Sequence, residues 1–193
     1  MGEVELLRAL PKGKRNIQAR ETTKTEEHIR VSREYGEMYF DGPREYGYGG
    51  YRYDGRWQPV ARDIIEHFGL KPGDKVLDVS KYALMNCEPE AIGRLQIGSC
   101  DDLPFPDGSF DAVLAINTIH NLDRDGCVRA VREVERLAPG RGFIQVDSYR
   151  TPEQKEIFES WVLTAKFYDY PEGWLEVFNE AGYTGDWYWT IIN

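Results

Sequence analysis

One of the three histidines lies where a proton could be transferred. His120 comes three residues after Asn117, which directly follows an apolar run at residues 110–116, whereas the other two histidines lie in polar or helical stretches. Loops that follow the strands of an open α/β sheet carry its active site. An imidazole titrates near neutral pH, so His120 is the candidate general base and catalytic residue. Packing beneath the loop is the alternative role for this side chain.

An aromatic and glycine-rich stretch at residues 35–57 is the second candidate. It holds eight aromatic residues and six glycines. Each glycine would cost about 1 kcal/mol in a helix, so the stretch predicts an irregular segment that lies against the main domain. Such a segment could contact substrate and exclude water as a lid, or simply cover the end of the sheet. The predicted substrate contacts are Tyr46, Tyr48, Tyr51 and Trp57.

Composition limits the class of binding partner and the cellular compartment that we expect. The chain has 193 residues, 41% of them hydrophobic, and 24 Lys and Arg against 33 Asp and Glu give a formal charge of −9. A nucleic-acid binder needs cationic surface, so a small-molecule partner is expected instead, and a homo-oligomer stays open. There is no apolar run of about 18 residues, and the three cysteines form no CxxC pair. We therefore expect no membrane span, disulfide or metal site, and a cytoplasmic location.

Hydrophobic spacing outlines the elements that must position these residues. Helical spacing and capping signals predict helices at residues 59–68, 81–87, 123–137, 152–165 and 173–181, with a capped helix start at 22–27. Short apolar runs predict strands at residues 75–79, 95–98, 110–116, 143–147 and 186–192. This alternation predicts an α/β fold with a mostly parallel sheet covered by helices on both faces. We predict an N-terminal arm and lid at residues 1–57 and an α/β domain at 58–193.

Four motifs in order extend the prediction to a family. They are KPGDKVLDV at residues 71–79, DDLPFPDGSFD at 101–111, INTIHNL at 116–122 and REVERLAPGRG at 132–142. Together they resemble the class I S-adenosylmethionine-dependent methyltransferases, and the resemblance runs from about residue 59 to residue 193. It implies a Rossmann-like sheet, S-adenosylmethionine as cofactor and S-adenosylhomocysteine as product.

The resemblance implies cofactor-binding roles for residues near the ends of the strands. Asp78 would lie near the amino group of the cofactor, Asp102 would accept from the adenine amino group, and Asn117 would line the methionine end. Cys100 and Asp101 would supply backbone contacts. A strand-terminal turn acid and a solvated loop acid are the alternatives for Asp78 and Asp102.

The resemblance says less about the residues that would bind the methyl acceptor than about those that would bind the cofactor. Asp147 and Tyr149, which follow or end the fifth strand of the family, would line the substrate pocket. Aromatic faces attract a sulfonium cation, which suits the predicted lid. The expected acceptor is an oxygen or nitrogen of a small molecule, for example a sugar or a secondary metabolite, and no metal is needed.

The sequence departs from the family directly after the first strand. There the family has a glycine-rich turn, a helix and a second strand that ends in a ribose-binding acid, but here Val79 runs directly into Ser80. A deletion, a stretch omitted from the sequence and a naturally shortened relative are the open explanations. A catalytically impaired binding or interaction protein on the same scaffold is therefore the alternative function.

Overall fold

The computed structural model of the chain describes residues 1–10, 22–50, 55–79 and 98–191. The helices are α1 (Glu26–Ser32), α2 (Glu37–Phe40), α3 (Trp57–Phe68), α4 (Arg124–Leu137), α5 (Pro152–Trp161) and α6 (Pro171–Ala181). The strands are β1 (Val76–Asp78), β2 (Ala112–Ile116), β3 (Gly142–Ser148) and β4 (Asp186–Ile191). Short 3-10 turns lie at Arg44–Tyr46 and Ile119–Asn121. Within these four ranges, no helix combines the length and apolar character that a membrane crossing requires.

The four described strands form one sheet in the order β1-β2-β3-β4. Every neighbouring pair is parallel, and the residue partners are Leu77 with Val113, Leu114 with Phe143, and Val146 with Trp189, among others. Parallel neighbours require crossover connections, and these contain helices that cover the faces of the sheet. The predicted α/β class with a parallel sheet is confirmed.

One face of the sheet is mostly apolar. It is covered by α4 and α6, and the shared core contains Val113, Ala115, Ile144, Val146, Trp187, Trp189, Val131, Val134, Trp174 and Phe178. Helix α4 begins where Asp123 accepts a hydrogen bond from the Gly126 N–H at 2.8 Å, which satisfies one of the free amides of its first turn. Trp187 and Trp189 alternate along β4, so both rings lie on this face.

The opposite face is covered by α3 and changes character along the strands. Its core contains Ala112, Leu114 and Phe143 from the sheet and Val60, Ile64 and Phe68 from the helix. Helix α3 ends at Gly69, whose φ of 60° is the left-handed conformation predicted for its C-cap. Further toward the carboxyl edge, the residues that alternation sends to this face are Gln145, Asp147 and Thr190. On this face, the side chains nearer the carboxyl edge are therefore polar and those further from it are apolar.

The first ten residues pack as part of the α/β domain. Glu3 forms a parallel bridge with Trp187 at the edge of β4, and the Val4 N–H donates to the Trp187 carbonyl at 2.8 Å. Leu6 is 5% exposed and lies in the core beneath α3. The predicted boundary after residue 57 falls at the first residue of α3.

The helix predicted at residues 152–165 is wrong in its end, because α5 stops at Trp161. Three carbonyls near this end accept hydrogen bonds from the N-terminal segment. Lys24 Nζ donates to Glu159 O at 2.5 Å and to Val162 O at 3.4 Å, and Arg33 Nη2 donates to Ala165 O at 3.4 Å. These partners are distant in sequence, so local periodicity could not reveal them.

Two further predicted elements cannot be compared with the structure. The helix at 81–87 and all but the last residue of the strand at 95–98 lie outside the described residues.

Candidate functional site

The carboxyl ends of β1 and β2 lie side by side and remain tied together beyond the strands. The Val79 N–H donates to Leu114 O at 3.0 Å, and Thr118 Oγ1 donates to Val79 O at 2.7 Å. Asp78 and Asn117 therefore lie at one edge of the sheet, on neighbouring strands. This is the edge at which open α/β sheets bind ligands.

Asn117 has a left-handed backbone. Its φ is 54°, and among the described non-glycine residues only Tyr35, with a φ of 51°, shares this region. The Asn117 N–H donates to Gln145 O at 3.0 Å, and its carbonyl accepts from Asn121 Nδ2 at 3.3 Å. Asparagine tolerates this conformation better than most side chains do, and such residues cluster at functional sites.

Asp78 combines an exposed position with a partly desolvated carboxyl group. Nearby protein desolvates this group and raises its pKa to about 6. Its carboxylate has no hydrogen bond or ion pair in the described part of the chain, so it is open to an outside partner.

The loop at residues 98–105 is fastened to α4. Arg129 Nη2 forms an ion pair with Asp101 Oδ2 at 2.7 Å, and the Leu103 N–H donates to Glu133 Oε2 at 2.8 Å. The Ser99 hydroxyl and then Arg129 lower the pKa of Asp101, so this carboxylate is committed to the protein. Its backbone contacts toward a cofactor stay a prediction.

Cys100 and Asp102 lie on either side of Asp101 and have different surroundings. Cys100 is a free thiol, and burial raises its pKa to about 11. Asp102 is exposed, and its carboxylate makes no hydrogen bond or ion pair within the described ranges. The fixed loop therefore presents one unpaired carboxylate, which could accept from an amino group.

His120 lies in the 3-10 turn after β2 and is only 4% exposed. Burial lowers the pKa of His120, and the Asp147 carboxylate offsets part of that effect. The ring is therefore neutral near pH 7, and its Nδ1 accepts from the Asp147 N–H at 3.4 Å. In that tautomer the proton is on Nε2, so neither nitrogen has a free lone pair. The geometry favours the packing role over the general base.

The His120 backbone supports the same conclusion. Its carbonyl accepts from the Lys166 N–H at 2.9 Å and from the Phe167 N–H at 3.2 Å. Side chain and carbonyl together fasten the loop after β2 to β3 and to the segment after α5. His120 therefore positions these three parts of the carboxyl edge.

Asp147 and Tyr149 point to different surroundings. Asp147 is the second-last residue of β3 and lies on the α3 face, with 8% of its surface exposed. Tyr149 is 2% exposed and packs against Tyr170, with ring centroids 4.6 Å apart. Burial raises the pKa of Tyr149 to about 12. The structure places this ring in the core beneath α5 rather than at the predicted rim.

The aromatic segment lies against the carboxyl edge, as its composition predicted, although its rings differ in surroundings. Tyr46 packs edge-on against His28 at 4.7 Å, and Tyr48 is 45% exposed and stacks on Phe40 at 5.5 Å. Trp57 begins α3 and packs against the core of that face. Tyr51 lies outside the described residues.

Sequence reasoning missed the two rings of this segment that contact the rest of the site. Burial, followed by smaller effects of Tyr48 and Asp147, raises the pKa of Tyr39. Burial also raises the pKa of Tyr35 to about 12, and Thr164 is a neighbour of both hydroxyls. Tyr35 lies before α2 and has a left-handed backbone, so its ring contact with Tyr39, at 5.5 Å, depends on the turn at Gly36 and not on helical spacing.

Comparison with known families agrees with this architecture. Residues 61–146 match the family model described as a methyltransferase domain. The match begins within α3 and ends within β3, so it includes Asp78, Asp102 and Asn117. With the parallel sheet and its helical layers, it defines a Rossmann-like α/β fold. The match supports a class I S-adenosylmethionine-dependent methyltransferase domain over these residues. A search of curated proteins finds no significant match to this sequence.

Members of this family generally use S-adenosylmethionine, and the described residues fit part of that molecule. The cofactor carries two amino groups, one on adenine and one on its methionine portion. The unpaired carboxylates of Asp102 and Asp78 are acceptors suited to such groups. No glycine-rich turn follows Val79 in the sequence. The described residues therefore fit the two amino groups of the cofactor and not the rest of the molecule.

Proposed function

We propose that the chain transfers a methyl group from S-adenosylmethionine to an oxygen or nitrogen of a small molecule. The observation that carries the proposal is the unpaired Asp78 carboxyl group beside the left-handed Asn117, at the carboxyl edge of a methyltransferase domain. Strand ends of this kind are where α/β sheets bind nucleoside ligands.

The residues of the chain bind and orient the cofactor. Asp102 accepts from the adenine amino group and Asp78 from the amino group of the methionine portion. Asn117 shapes the edge between them through its backbone conformation. When bound, S-adenosylmethionine supplies an electrophilic methyl group on a sulfonium centre. Alignment and the exclusion of water are the main contributions that a protein makes to such a displacement.

The acceptor is a small molecule. A formal charge of −9 disfavours nucleic acid, because phosphate backbones require an excess of cationic side chains. Tyr39 of the aromatic segment interacts with Asp147 at the carboxyl edge, so this segment is the part of the chain that we expect to contact an acceptor. Sugars and secondary metabolites fall within this class.

Calorimetric titration with S-adenosylhomocysteine tests the proposal. We expect saturable heat with the wild-type chain and a dissociation constant about tenfold weaker for Asp102→Asn, a loss of about 1.4 kcal/mol. The matched control is Asp107→Asn, which changes an acid of the same loop that pairs with Arg136 instead. This control should bind like the wild type.

The alternative function predicts a different titration. A binding or interaction protein that lacks the glycine-rich turn would give no saturable heat although it is folded. The sequence after Val79 is the observation that favours this alternative. If neither S-adenosylmethionine nor S-adenosylhomocysteine gives saturable heat, and the protein still unfolds in one cooperative transition, the methyltransferase proposal is rejected.

A further inference from the structure

A buried amide on β3 has one polar end without a partner. Gln145 is 0% exposed, its Nε2 donates to Thr190 Oγ1, and its Oε1 has no hydrogen-bond partner among the described residues. If the amide were turned over, Nε2 would be unpaired instead, so one end is open in either orientation. Such a group costs about 1–3 kcal/mol, and it is expected to pair with a molecule outside the chain.

A buried carboxylate lies two residues further along the same strand. Asp147 shares the face of Gln145 by strand alternation and lies nearer the carboxyl edge. It is 8% exposed, and its carboxylate has no hydrogen bond or ion pair within the described ranges. An isolated buried carboxylate is more costly than an isolated amide, so it requires a donor-bearing or cationic partner.

Two side chains that interact with Asp147 carry no positive charge. They are His120 and Tyr39. His120 is a buried, neutral imidazole, and Tyr39 is a neutral phenol whose ring contacts those of Tyr35 and Tyr48 at 5.5 and 5.4 Å. A negative group beside an aromatic cluster is an arrangement that attracts organic cations.

We propose that Asp147 and Gln145 bind a small molecule that carries an ammonium group, and that this molecule is the methyl acceptor. The ammonium is the anchor, and a neutral oxygen or nitrogen elsewhere in the same molecule forms the new bond to the methyl group as the S–CH3 bond of S-adenosylmethionine breaks. S-adenosylhomocysteine leaves, and the proton of the methylated atom goes to water. The Asp147 carboxylate accepts a charge-assisted hydrogen bond from the ammonium, and the Gln145 amide pairs with a second polar atom of the same molecule. The Tyr39 ring lies against the cation. Its identification as the acceptor rests on the proposed function, whereas binding of the ammonium does not.

The charge of the site selects among ligand classes. An anion would be repelled by the Asp147 carboxylate, and neither His120 nor Tyr39 carries a charge that offsets this repulsion. A neutral alcohol could donate one hydrogen bond, but it would leave the buried negative charge uncompensated. The site therefore favours an amine over an alcohol of the same size.

Titration with propylammonium chloride, followed by NMR, tests the site directly. The reporters are the ring signals of His120 and the backbone amide of Asp147, which form a hydrogen bond with each other. We expect both to shift and saturate with a dissociation constant on the order of 1 mM, typical of a very small ligand. Propan-1-ol and propanoate, with nearly the same shape, should bind at least about tenfold more weakly.

Two variants separate the site from general effects. Asp147→Asn removes the charge and should weaken propylammonium binding at least about tenfold, while Gln145→Met should weaken the binding of 3-hydroxypropylammonium, whose hydroxyl is the second polar atom, about threefold. Asp107→Asn is the matched control on an exposed turn and should bind as the wild type does. If Asp147→Asn does not fold, Gln145→Met carries the test alone.

The outcomes distinguish this inference from the proposed function. Equal shifts with propan-1-ol, unchanged binding by the folded variants, or no saturation at 50 mM probe, about fifty times the expected constant, would overturn the inference. If S-adenosylhomocysteine binds and propylammonium does not, the methyltransferase proposal stands without this site. If propylammonium binds through Asp147 and the nucleoside does not, the chain holds an amine site but the methyl-transfer proposal fails.

Discussion

The two faces of the sheet use the same strands for different purposes. On the face covered by α4 and α6, apolar side chains continue along β3 through Ile144 and Val146. On the face covered by α3, Phe143 is apolar, but the next two residues on that side are Gln145 and Asp147. The switch occurs within one strand, so neighbouring residues can be compared in the same backbone.

This difference separates stability from binding. Apolar burial on the α4 face contributes about 25 cal/mol per Å² of area removed from water. The Gln145 Oε1 atom and the Asp147 carboxylate lack partners among the described residues, so their burial opposes folding. Such groups bring little benefit to stability, and the ammonium site proposed above would give them a partner.

The largest expected effect is on the apolar face. Ile144 is 0% exposed, so Ile144→Ala should lower the free energy of unfolding by about 3 kcal/mol, within the range for cavities in a packed core. Urea denaturation measures this loss. A loss below about 1 kcal/mol would show that this face is not the tightly packed one.

A smaller effect is expected from Asp78, and it depends on pH. Because the folded chain binds the Asp78 proton more tightly than the unfolded chain does, ionisation disfavours folding, and wild-type stability should fall relative to Asp78→Asn as the pH rises from about 4 to about 6. Solvent screening of this exposed side chain limits the change to about 1 kcal/mol. Urea denaturation of both proteins from pH 4 to pH 7 measures the difference. A difference independent of pH would contradict the assigned pKa.

Replacing the polar pair should change stability little. Gln145→Met together with Thr190→Val removes a hydrogen bond and an unpaired buried group at once, so the free energy of unfolding should stay within about 1 kcal/mol of the wild type. Thermal and urea unfolding check this, with Ile144→Ala as the comparison. A loss as large as that of Ile144→Ala would mean that both faces serve stability alike.

The smallest effect concerns the backbone at the strand end. Asn117→Gly should be neutral or stabilising by up to about 0.5 kcal/mol, since glycine adopts a φ of 54° without strain, while Asn117→Ala should lose about 1 kcal/mol. Urea denaturation of the two variants gives the ordering. If alanine is tolerated as well as glycine, the left-handed conformation is not required.

Local patterns predicted most of the elements, because their causes are local. Val60, Ile64 and Phe68 recur at helical spacing and pack into one core, and Gly69 ends that helix with the conformation that glycine adopts readily. The motif residues Asp78 and Asn117 were predicted at one edge because parallel strands carry their carboxyl ends together.

The features that the sequence did not predict depend on contacts between distant parts of the chain. Near the end of α5, Lys24 and Arg33 donate to backbone carbonyls that lie more than a hundred residues away in sequence. The lid prediction selected Tyr46 and Tyr48, but Tyr39 is the ring that interacts with Asp147. The open amide of Gln145 had no signal in the sequence, since it depends on which partners the fold provides.

Crystals soaked with S-adenosylhomocysteine give the most direct test of the central claim, which is that the carboxyl edge of the sheet binds the nucleoside. We expect density for the adenine amino group at the Asp102 carboxylate and for the methionine amino group at Asp78, with Asn117 between them. Density remote from these residues, or Tyr35 and Tyr39 filling the same space in a ligand-free crystal, would contradict the account.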